Sequence, residues 1–270
     1  MYKLGCCVSA GSFMPQANNS TPSTVDAISE NCKYILSCGF DYTELGVGTV
    51  VSLSDEDIAT LSSRNLKIEA ANSFIPARFS IIKGGEDLEK YVAEAMKKSA
   101  ALGIKVIVFG SGKARMMPDT ATEKEKLTAV ESFLRTCNTY AQEYGITVVI
   151  EPLESAECNY INKVTEAAKI ARDLKLSNIR SLADSFHMGQ ENEPFSVLTE
   201  AQDQLSHIHV AEKTVRTYPG KENDATFLPE MARVLKTTSY NGRISIECNF
   251  SDYVKEAPLA YKYLSEIFNG

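Results

Sequence analysis

Short apolar runs alternate with longer amphipathic stretches along this chain. The runs span about four to seven residues and are rich in Val and Ile, whereas the stretches between them carry apolar residues at helical spacing. This alternation predicts repeated βα units that build a parallel sheet. Eight units can be counted, so we predict an α/β fold, a (β/α)8 TIM barrel, in a single domain over residues 1–270.

Glycines mark the predicted element boundaries. Glycine favours the left-handed conformation that ends many helices, and four glycines stand where a predicted helix gives way to a strand. They are Gly39, Gly103, Gly145 and Gly242. The predicted strands end near Ser9, Glu44, Asn72, Phe109, Glu151, Asp184, Val210 and Glu247. The predicted helices cover residues 24–38, 54–64, 86–102, 122–144, 161–174, 195–203, 225–239 and 254–268.

Composition narrows the function classes. With 270 residues and 44% hydrophobic content, the chain can bury one large core. Its net charge is −7 with both signs interspersed, which argues against a nucleic-acid partner because phosphate binding needs clustered Lys and Arg. Seven scattered cysteines without a CxxC pair indicate reduced thiols. Nothing resembles a signal peptide or a membrane span, so we expect a cytoplasmic protein with no membrane partner.

Four of the apolar runs finish in side chains that bind metals well. VVIE ends at Glu151, IRSLAD at Asp184, LSHIH at His209 and RISIE at Glu247. The carboxyl ends of barrel strands face one open mouth, where the catalytic groups of TIM barrels sit. A single carboxylate there is equally well a helix cap, but four donors together predict one divalent metal site. Three oxygen donors and one imidazole suit Mn, Mg, Co or Zn, and we favour Mn.

Five segments, in this order and spacing, resemble the xylose isomerase-like barrel superfamily. Within it, the chain is similar to the sugar phosphate isomerase/epimerase group and its keto-sugar 3-epimerases of the tagatose/psicose epimerase type. The segments are GFDYTEL at 39–45, IEPLESAE at 150–157, LADSFHMG at 182–189, HIHVAE at 207–212 and ISIE at 244–247. The resemblance covers the whole chain and implies the same barrel fold.

The resemblance also implies roles for individual residues. Glu151, Asp184, His209 and Glu247 match the metal ligands of the family, and Glu157, His187 and Arg216 match residues that hold the polar end of the substrate. Two departures stand out. The loop that carries Arg216 is one residue longer than the usual pattern, and Glu154 and Ser155 stand where many relatives have Asn and Arg.

The implied chemistry is proton transfer on a carbon next to a carbonyl. A divalent cation chelated by the carbonyl and hydroxyl oxygens stabilises the enediolate that forms. Glu151 and Glu247, on strands 5 and 8, are predicted to act as acid and base from opposite sides of the mouth. We therefore expect a metal-dependent ketose 3-epimerase or aldose-ketose isomerase acting on a small sugar.

Two alternatives stay open. A dehydratase of keto-inositols begins with the same proton abstraction but expels a hydroxyl group, and a barrel that binds metal and sugar without turnover needs no catalytic glutamates. An apurinic endonuclease is disfavoured, because its multi-zinc cluster needs more histidines than the three in this chain. A homo-oligomer, dimer or tetramer, is expected from barrels of this type.

Several other polar residues have two interpretations. We expect His207 to lie one layer deeper than His209, as a packed or hydrogen-bonded neighbour, because both point to the same side of a strand. Glu44, Glu69 and Asn72 either line the pocket or cap the following segments. Lys113 and Arg115, in FGSGKARMMP at 109–118, either receive a phosphate or sugar oxygen or belong to a simple glycine-rich connection.

Overall fold

The protein is a closed eight-stranded parallel barrel. The computed structural model describes residues 1–8 and 24–270. Each strand pairs with the next in chain order, and the last pairs with the first. The strands are β1 (Lys3–Cys7), β2 (Tyr42–Gly46), β3 (Ile68–Asn72), β4 (Val106–Phe109), β5 (Thr147–Ile150), β6 (Ile179–Asp184), β7 (Leu205–Val210) and β8 (Arg243–Ile246). The predicted single-domain (β/α)8 fold is confirmed.

Eleven helices occur among the described residues. They are α1 (Thr24–Ser37), α2 (Val47–Ser52), α3 (Asp55–Ser63), α4 (Glu86–Ala101), α5 (Gly112–Arg115), α6 (Glu123–Tyr144), α7 (Val164–Leu174), α8 (Ser185–Gln190), α9 (Val197–Ala201), α10 (Phe227–Leu235) and α11 (Tyr253–Asn269). Eight of them correspond to the predicted helices. The other three, α2, α5 and α8, were not predicted, because one or two turns are too short to show helical periodicity.

The strand ends lie close to the predicted positions. Glu151 and Glu247 directly follow β5 and β8, and Asp184 is the last residue of β6. β1 ends at Cys7, whereas the predicted end near Ser9 lies outside the described residues. The barrel mouth therefore carries the residues that the sequence assigned to it.

The predicted role of Gly242 as a helix cap is wrong. Helix α10 ends at Leu235, and the hydroxyl groups of Thr237 and Thr238 donate to the carbonyls of Val234 and Leu235 at 2.7 and 2.8 Å. Side-chain bonds of this kind satisfy the last carbonyls and end the helix early. The other three predicted caps have positive φ angles, 109° at Gly39, 89° at Gly103 and 65° at Gly145.

The core has two parts. A large apolar cluster lies between the strands and the surrounding helices. A smaller one fills the barrel interior and consists of Tyr42, Ala70, Val106, Val108, Val149 and Leu182. The interior is therefore packed, and polar chemistry is left to its carboxyl-terminal mouth. Within residues 1–8 and 24–270, no helix combines the length and apolarity that crossing a membrane requires.

Candidate metal centre and active site

The four predicted metal ligands come together at the mouth of the barrel. Ligand atoms of Glu151, Asp184, His209 and Glu247 all lie within 4.8 Å of one another, and all four residues are buried. They come from four neighbouring strands, because β5, β6, β7 and β8 are consecutive in the sheet. Proximity alone leaves their metal-binding role a prediction, but the cluster has the dimensions of a single-ion site.

The imidazole of His209 faces the three carboxylates through Nδ1. This atom lies 3.1 Å from Oε1 of Glu151, 3.1 Å from Oε2 of Glu247 and 4.0 Å from Oδ2 of Asp184. The other oxygen of Asp184, Oδ1, accepts hydrogen bonds from the backbone N–H groups of Phe186 and His187 at 2.7 and 3.2 Å. Asp184 therefore caps α8 with one oxygen, which orients the other towards the centre.

The donor set fits a divalent cation. Three carboxylates and one imidazole are ligands that suit hard or borderline ions with open positions for substrate oxygens. The surrounding charge also fits. Buried carboxylates need compensation, and the guanidinium group of Arg216 supplies it: it lies 3.0 Å from the carboxylate of Asp184 and forms an ion pair with that of Glu247. The cluster is therefore a possible metal-binding site.

The two glutamates of the cluster differ in proton affinity. Burial raises the pKa of Glu151, and the nearby charge of Glu247 adds to this effect. Burial acts on Glu247 in the same direction, but Arg216 and His209 outweigh it and lower the pKa of Glu247 to about 2. Burial also opposes protonation of His209, yet Glu44 and Glu247 hold its pKa well above the ordinary value. Among the two glutamates, Glu151 is thus the stronger base.

The predicted substrate-binding residues lie together at one side of the mouth. Nη1 of Arg216 is 3.8 Å from Oε1 of Glu157 and 3.4 Å from Nε2 of His187. The backbone N–H of Glu154 donates to Nδ1 of His187 at 3.1 Å, so Nε2 is the nitrogen left to carry a proton. Arg216 has a φ of 40°, a strained conformation that places its guanidinium group across the carboxylates. Their role towards a substrate stays a prediction.

For most of the polar residues whose role the sequence left open, the structure decides between the two interpretations. Glu44 is fully buried, and its carboxylate oxygens lie 3.0 Å from Nε2 of His207 and 3.0 Å from Nε2 of His209. Asn72 donates to Oε1 of Glu247 at 2.8 Å. Glu69 instead lies towards the amino end of β3 and pairs with Lys3 and Arg243, away from the mouth. Glu44 and Asn72 therefore belong to the site. A single polar residue at the end of a strand could not show this, because it could equally cap the following segment.

Arg115 cannot receive a phosphate or sugar oxygen, because its side chain is fully buried. Its Nη1 donates to the backbone carbonyls of Phe109 and Glu151 at 3.2 and 2.8 Å. The guanidinium group therefore ties the end of β4 to the backbone that carries Glu151. The single turn of α5 places the arginine inward, and so short a helix left no periodic pattern in the sequence.

Comparisons with known proteins agree with this architecture. A family profile described as xylose isomerase-like TIM barrel matches residues 32–266. The chain is 26% identical over 205 residues to 3-dehydro-D-guloside 4-epimerase of Escherichia coli (strain K12), which covers 72% of this chain and 77% of that protein.

Solved structures share the fold. The crystal structure of a D-psicose 3-epimerase in the presence of D-fructose superposes with a TM-score of 0.81 at 17% identity, covering 99% of this chain and 100% of the other. The crystal structure of the IOLI protein with a zinc atom superposes with a TM-score of 0.73 at 17% identity, covering 99% and 98% of the two chains.

The profile match spans all the residues assigned to the site, and the E. coli relative is a sugar epimerase. The predicted resemblance and the prediction of an isomerase-type enzyme are confirmed at this level. The chain belongs to the xylose isomerase-like TIM barrel family.

Proposed function

We propose that this protein is a divalent-metal-dependent sugar epimerase or isomerase that moves a proton on the carbon next to a ketone. A ketose 3-epimerase or an aldose-ketose isomerase is the specific activity proposed. The observation that carries the proposal is the meeting of Glu151 and Glu247 at one buried centre, each within 3.1 Å of Nδ1 of His209. Two carboxylates from β5 and β8 can address a substrate from different sides.

A cation held by the four residues would act as a Lewis acid on the carbonyl and neighbouring hydroxyl oxygens of the substrate. Glu151, the stronger base, removes the proton from the carbon next to the carbonyl. Glu247, which Arg216 keeps ionised at rest, takes up a proton from solvent and delivers it to the opposite face of the same carbon, which inverts the stereocentre; the proton on Glu151 returns to solvent. For isomerisation, the proton goes to the former carbonyl carbon, and the hydroxyl group on the deprotonated carbon passes its proton to the former carbonyl oxygen and becomes the new carbonyl. Arg216 and His187 hold substrate oxygens by donating hydrogen bonds, and the side chains of the mouth exclude water.

The relatives support ketone-adjacent chemistry. The names 3-dehydro-D-guloside 4-epimerase and D-psicose 3-epimerase both describe inversion of a carbon beside a ketone. The position of the ketone differs between the two, whereas the α-proton is common to both. We therefore propose an α-hydroxy ketone sugar as the substrate class, with Mn²⁺ as the favoured ion. The predicted cytoplasmic location and homo-oligomeric assembly stay predictions.

The test is a screen of ketoses, 3-dehydro sugars and inososes by proton NMR in D₂O, with Mn²⁺ added and then removed by a chelator before the spectra are recorded. Deuterium at the carbon next to the ketone, with all hydroxyl groups retained, supports epimerisation or isomerisation. Loss of a hydroxyl group supports the dehydratase alternative. Sugar binding by calorimetry without any exchange would support the non-catalytic alternative.

Single-residue variants test the two-base mechanism. Glu151→Gln and Glu247→Gln are each expected to reduce turnover by about 10²-fold or more, because each removes one proton-transfer group. Metal content of both variants is measured alongside, since the amide oxygen retains a ligand atom. Normal turnover in either variant, at full metal occupancy, would contradict the mechanism.

A further inference from the structure

Glu44 lies at the centre of a buried hydrogen-bond network beneath the four predicted metal ligands. Oε1 of its carboxylate lies 3.0 Å from Nε2 of His209. Oε2 lies 3.0 Å from Nε2 of His207 and 2.6 Å from Oγ of Ser245. Tyr42 extends the network, with its hydroxyl oxygen 2.6 Å from Oγ of Ser245. All five side chains are fully buried, so bulk solvent does not reach these bonds.

The positions of the protons follow from what each group can donate. A carboxylate only accepts, so Ser245 donates its hydroxyl proton to Oε2 of Glu44. That proton is then committed, and Tyr42 donates to Oγ of Ser245. His207 and His209 also approach the carboxylate through Nε2, so each carries its proton on Nε2. Three donors converge on Glu44, and both of its oxygens are satisfied.

This assignment fixes the chemistry of His209. Nδ1 faces carboxylates that only accept, so without a cation this nitrogen carries a proton as well; a cation bound there would replace the proton on Nδ1, while Glu44 keeps the proton on Nε2. Nδ1 is the atom that faces the carboxylates of Glu151 and Glu247, each 3.1 Å away. The residue that sets the tautomer and the ligand atom of His209 is therefore Glu44 on β2. Its side chain reaches across the barrel interior towards β5 to β8, the strands that carry the cluster.

We propose that Glu44 is a positioning residue for the metal, which holds His209 as the Nε2–H tautomer so that Nδ1 binds the cation. The Tyr42–Ser245 chain in turn orients Glu44. A carboxylate behind a ligating imidazole fixes the ring and raises its basicity, and loss of such a partner typically weakens metal binding about 10- to 100-fold. The inference rests on the proposed function only in that the cluster must bind a divalent cation.

The tautomer can be measured without any substitution. The chain has three histidines, so nitrogen-15 NMR of histidine-labelled protein gives an assignable spectrum. Protein loaded with diamagnetic Zn²⁺ is expected to carry the proton of His209 on Nε2, with Nδ1 bound to the metal. A proton on Nδ1, with Nε2 bound to the metal, would overturn the proposal.

Calorimetric titration with Mn²⁺ provides the second test. Glu44→Leu removes both acceptors and is expected to raise the Mn²⁺ dissociation constant about 10- to 100-fold. Glu44→Gln keeps one acceptor, so its Mn²⁺ dissociation constant is expected to lie between those of Glu44→Leu and the unchanged protein. If Glu44→Leu does not fold, Glu44→Gln carries the test. An unchanged dissociation constant in a folded Glu44 variant would contradict the proposal.

Two variants serve as controls. Glu69→Gln makes the same substitution on the neighbouring strand β3, but its side chain pairs with Arg243 away from the mouth. Its Mn²⁺ dissociation constant is expected to stay within about twofold, which separates a local effect from general destabilisation. Tyr42→Phe removes only the hydroxyl group at the far end of the Tyr42–Ser245–Glu44 hydrogen-bond network. It is expected to weaken Mn²⁺ binding less than Glu44→Gln does.

The failures of the two proposals are distinguishable because Mn²⁺ binding is measured without substrate. If the unchanged protein binds no divalent ion, the proposed function and this inference fail together. If it binds Mn²⁺ and turns over sugar while folded Glu44 variants keep its affinity, only this inference fails.

Discussion

The carboxylate of Glu151 occupies the space that a side chain at Gly110 would need. A Cβ atom on Gly110 would lie 2.2 Å from Oε2 of Glu151, far inside van der Waals contact. The two residues directly follow β4 and β5, whose last residues, Phe109 and Ile150, are paired in register. Because Gly110 has no side chain, the carboxylate of Glu151, a predicted metal ligand and base, has space to reach the centre of the site.

Gly110→Ala is expected to displace the carboxylate of Glu151 and with it the metal. A shift of about 1 Å in a catalytic group costs on the order of 10² in rate, so turnover should fall by roughly this factor. The Mn²⁺ dissociation constant should rise in parallel, as measured by calorimetry. Gly48→Ala is the matched control, because no atom lies within 4 Å of a Cβ built there. Unchanged affinity and turnover in Gly110→Ala would show that the site does not require this position of the Glu151 carboxylate.

Arg216→Met is expected to change metal and substrate binding in opposite directions. The guanidinium group contacts Asp184 at 3.0 Å and also Glu247, so its removal takes a positive charge away from two predicted ligands. Mn²⁺ should bind about tenfold more tightly, since a unit charge a few Å away is worth at least ~1 kcal/mol. The KM for the sugar should rise about 10- to 100-fold through loss of a charged hydrogen bond.

Arg216→Lys is the companion variant for these measurements. It keeps the charge and loses the planar fork, so Mn²⁺ affinity should stay near that of the unchanged protein while KM still rises. Weaker Mn²⁺ binding in Arg216→Met would show that the arginine supports the ligand carboxylates more than it competes for them.

Arg115→Met is expected to lower the free energy of unfolding by roughly 2–4 kcal/mol, because buried carbonyls of Phe109 and Glu151 lose a charged donor. Urea unfolding at neutral pH measures this change. The comparison is Arg233→Met, which alters a surface arginine paired with Glu230 and should stay within about 0.5 kcal/mol. Equal urea midpoints for Arg115→Met and the unchanged protein would refute a structural role for the buried guanidinium group.

Glu69 is expected to make stability depend on pH at the amino-terminal end of the barrel. Burial alone would raise its pKa, but hydrogen bonds and charge from Arg243 and Lys3 outweigh it and lower the pKa below the ordinary 4.5. A lowered folded-state pKa means that the stabilisation is present above the unfolded-state pKa and disappears as pH falls through the folded-state value. Glu69→Gln should therefore be less stable at pH 7, by about 1 kcal/mol after solvent screening.

The check is urea unfolding of Glu69→Gln and the unchanged protein over a pH series that extends below 4.5. The difference between them should shrink as the pH falls. In an Arg243→Gln background, the same Glu69 substitution should cost less at pH 7. A difference that does not vary with pH would mean that packing, and not charge, makes the Glu69 contribution.

The sequence by itself determined the repeating architecture and the four residues of the cluster. Apolar runs and amphipathic stretches are local patterns, and eight repeats of them leave few ways to bury every strand. Glu151, Asp184, His209 and Glu247 were predicted to meet because each closes such a run, and parallel strands of a barrel end at the same mouth. No contact between distant residues had to be known for this step.

Tertiary structure decided what surrounds the cluster. Glu44 faces the two histidines because barrel closure points the interior side chains of β2 and β7 at each other, whereas in the sequence it is 163 residues from His207. Gly110 leaves space for the Glu151 carboxylate, and Arg115 donates hydrogen bonds to two backbone carbonyls. Both contacts depend on packing at the ångström scale. A local pattern fixes which face of a strand a residue occupies, but only closure of the barrel determines which atoms stand opposite it.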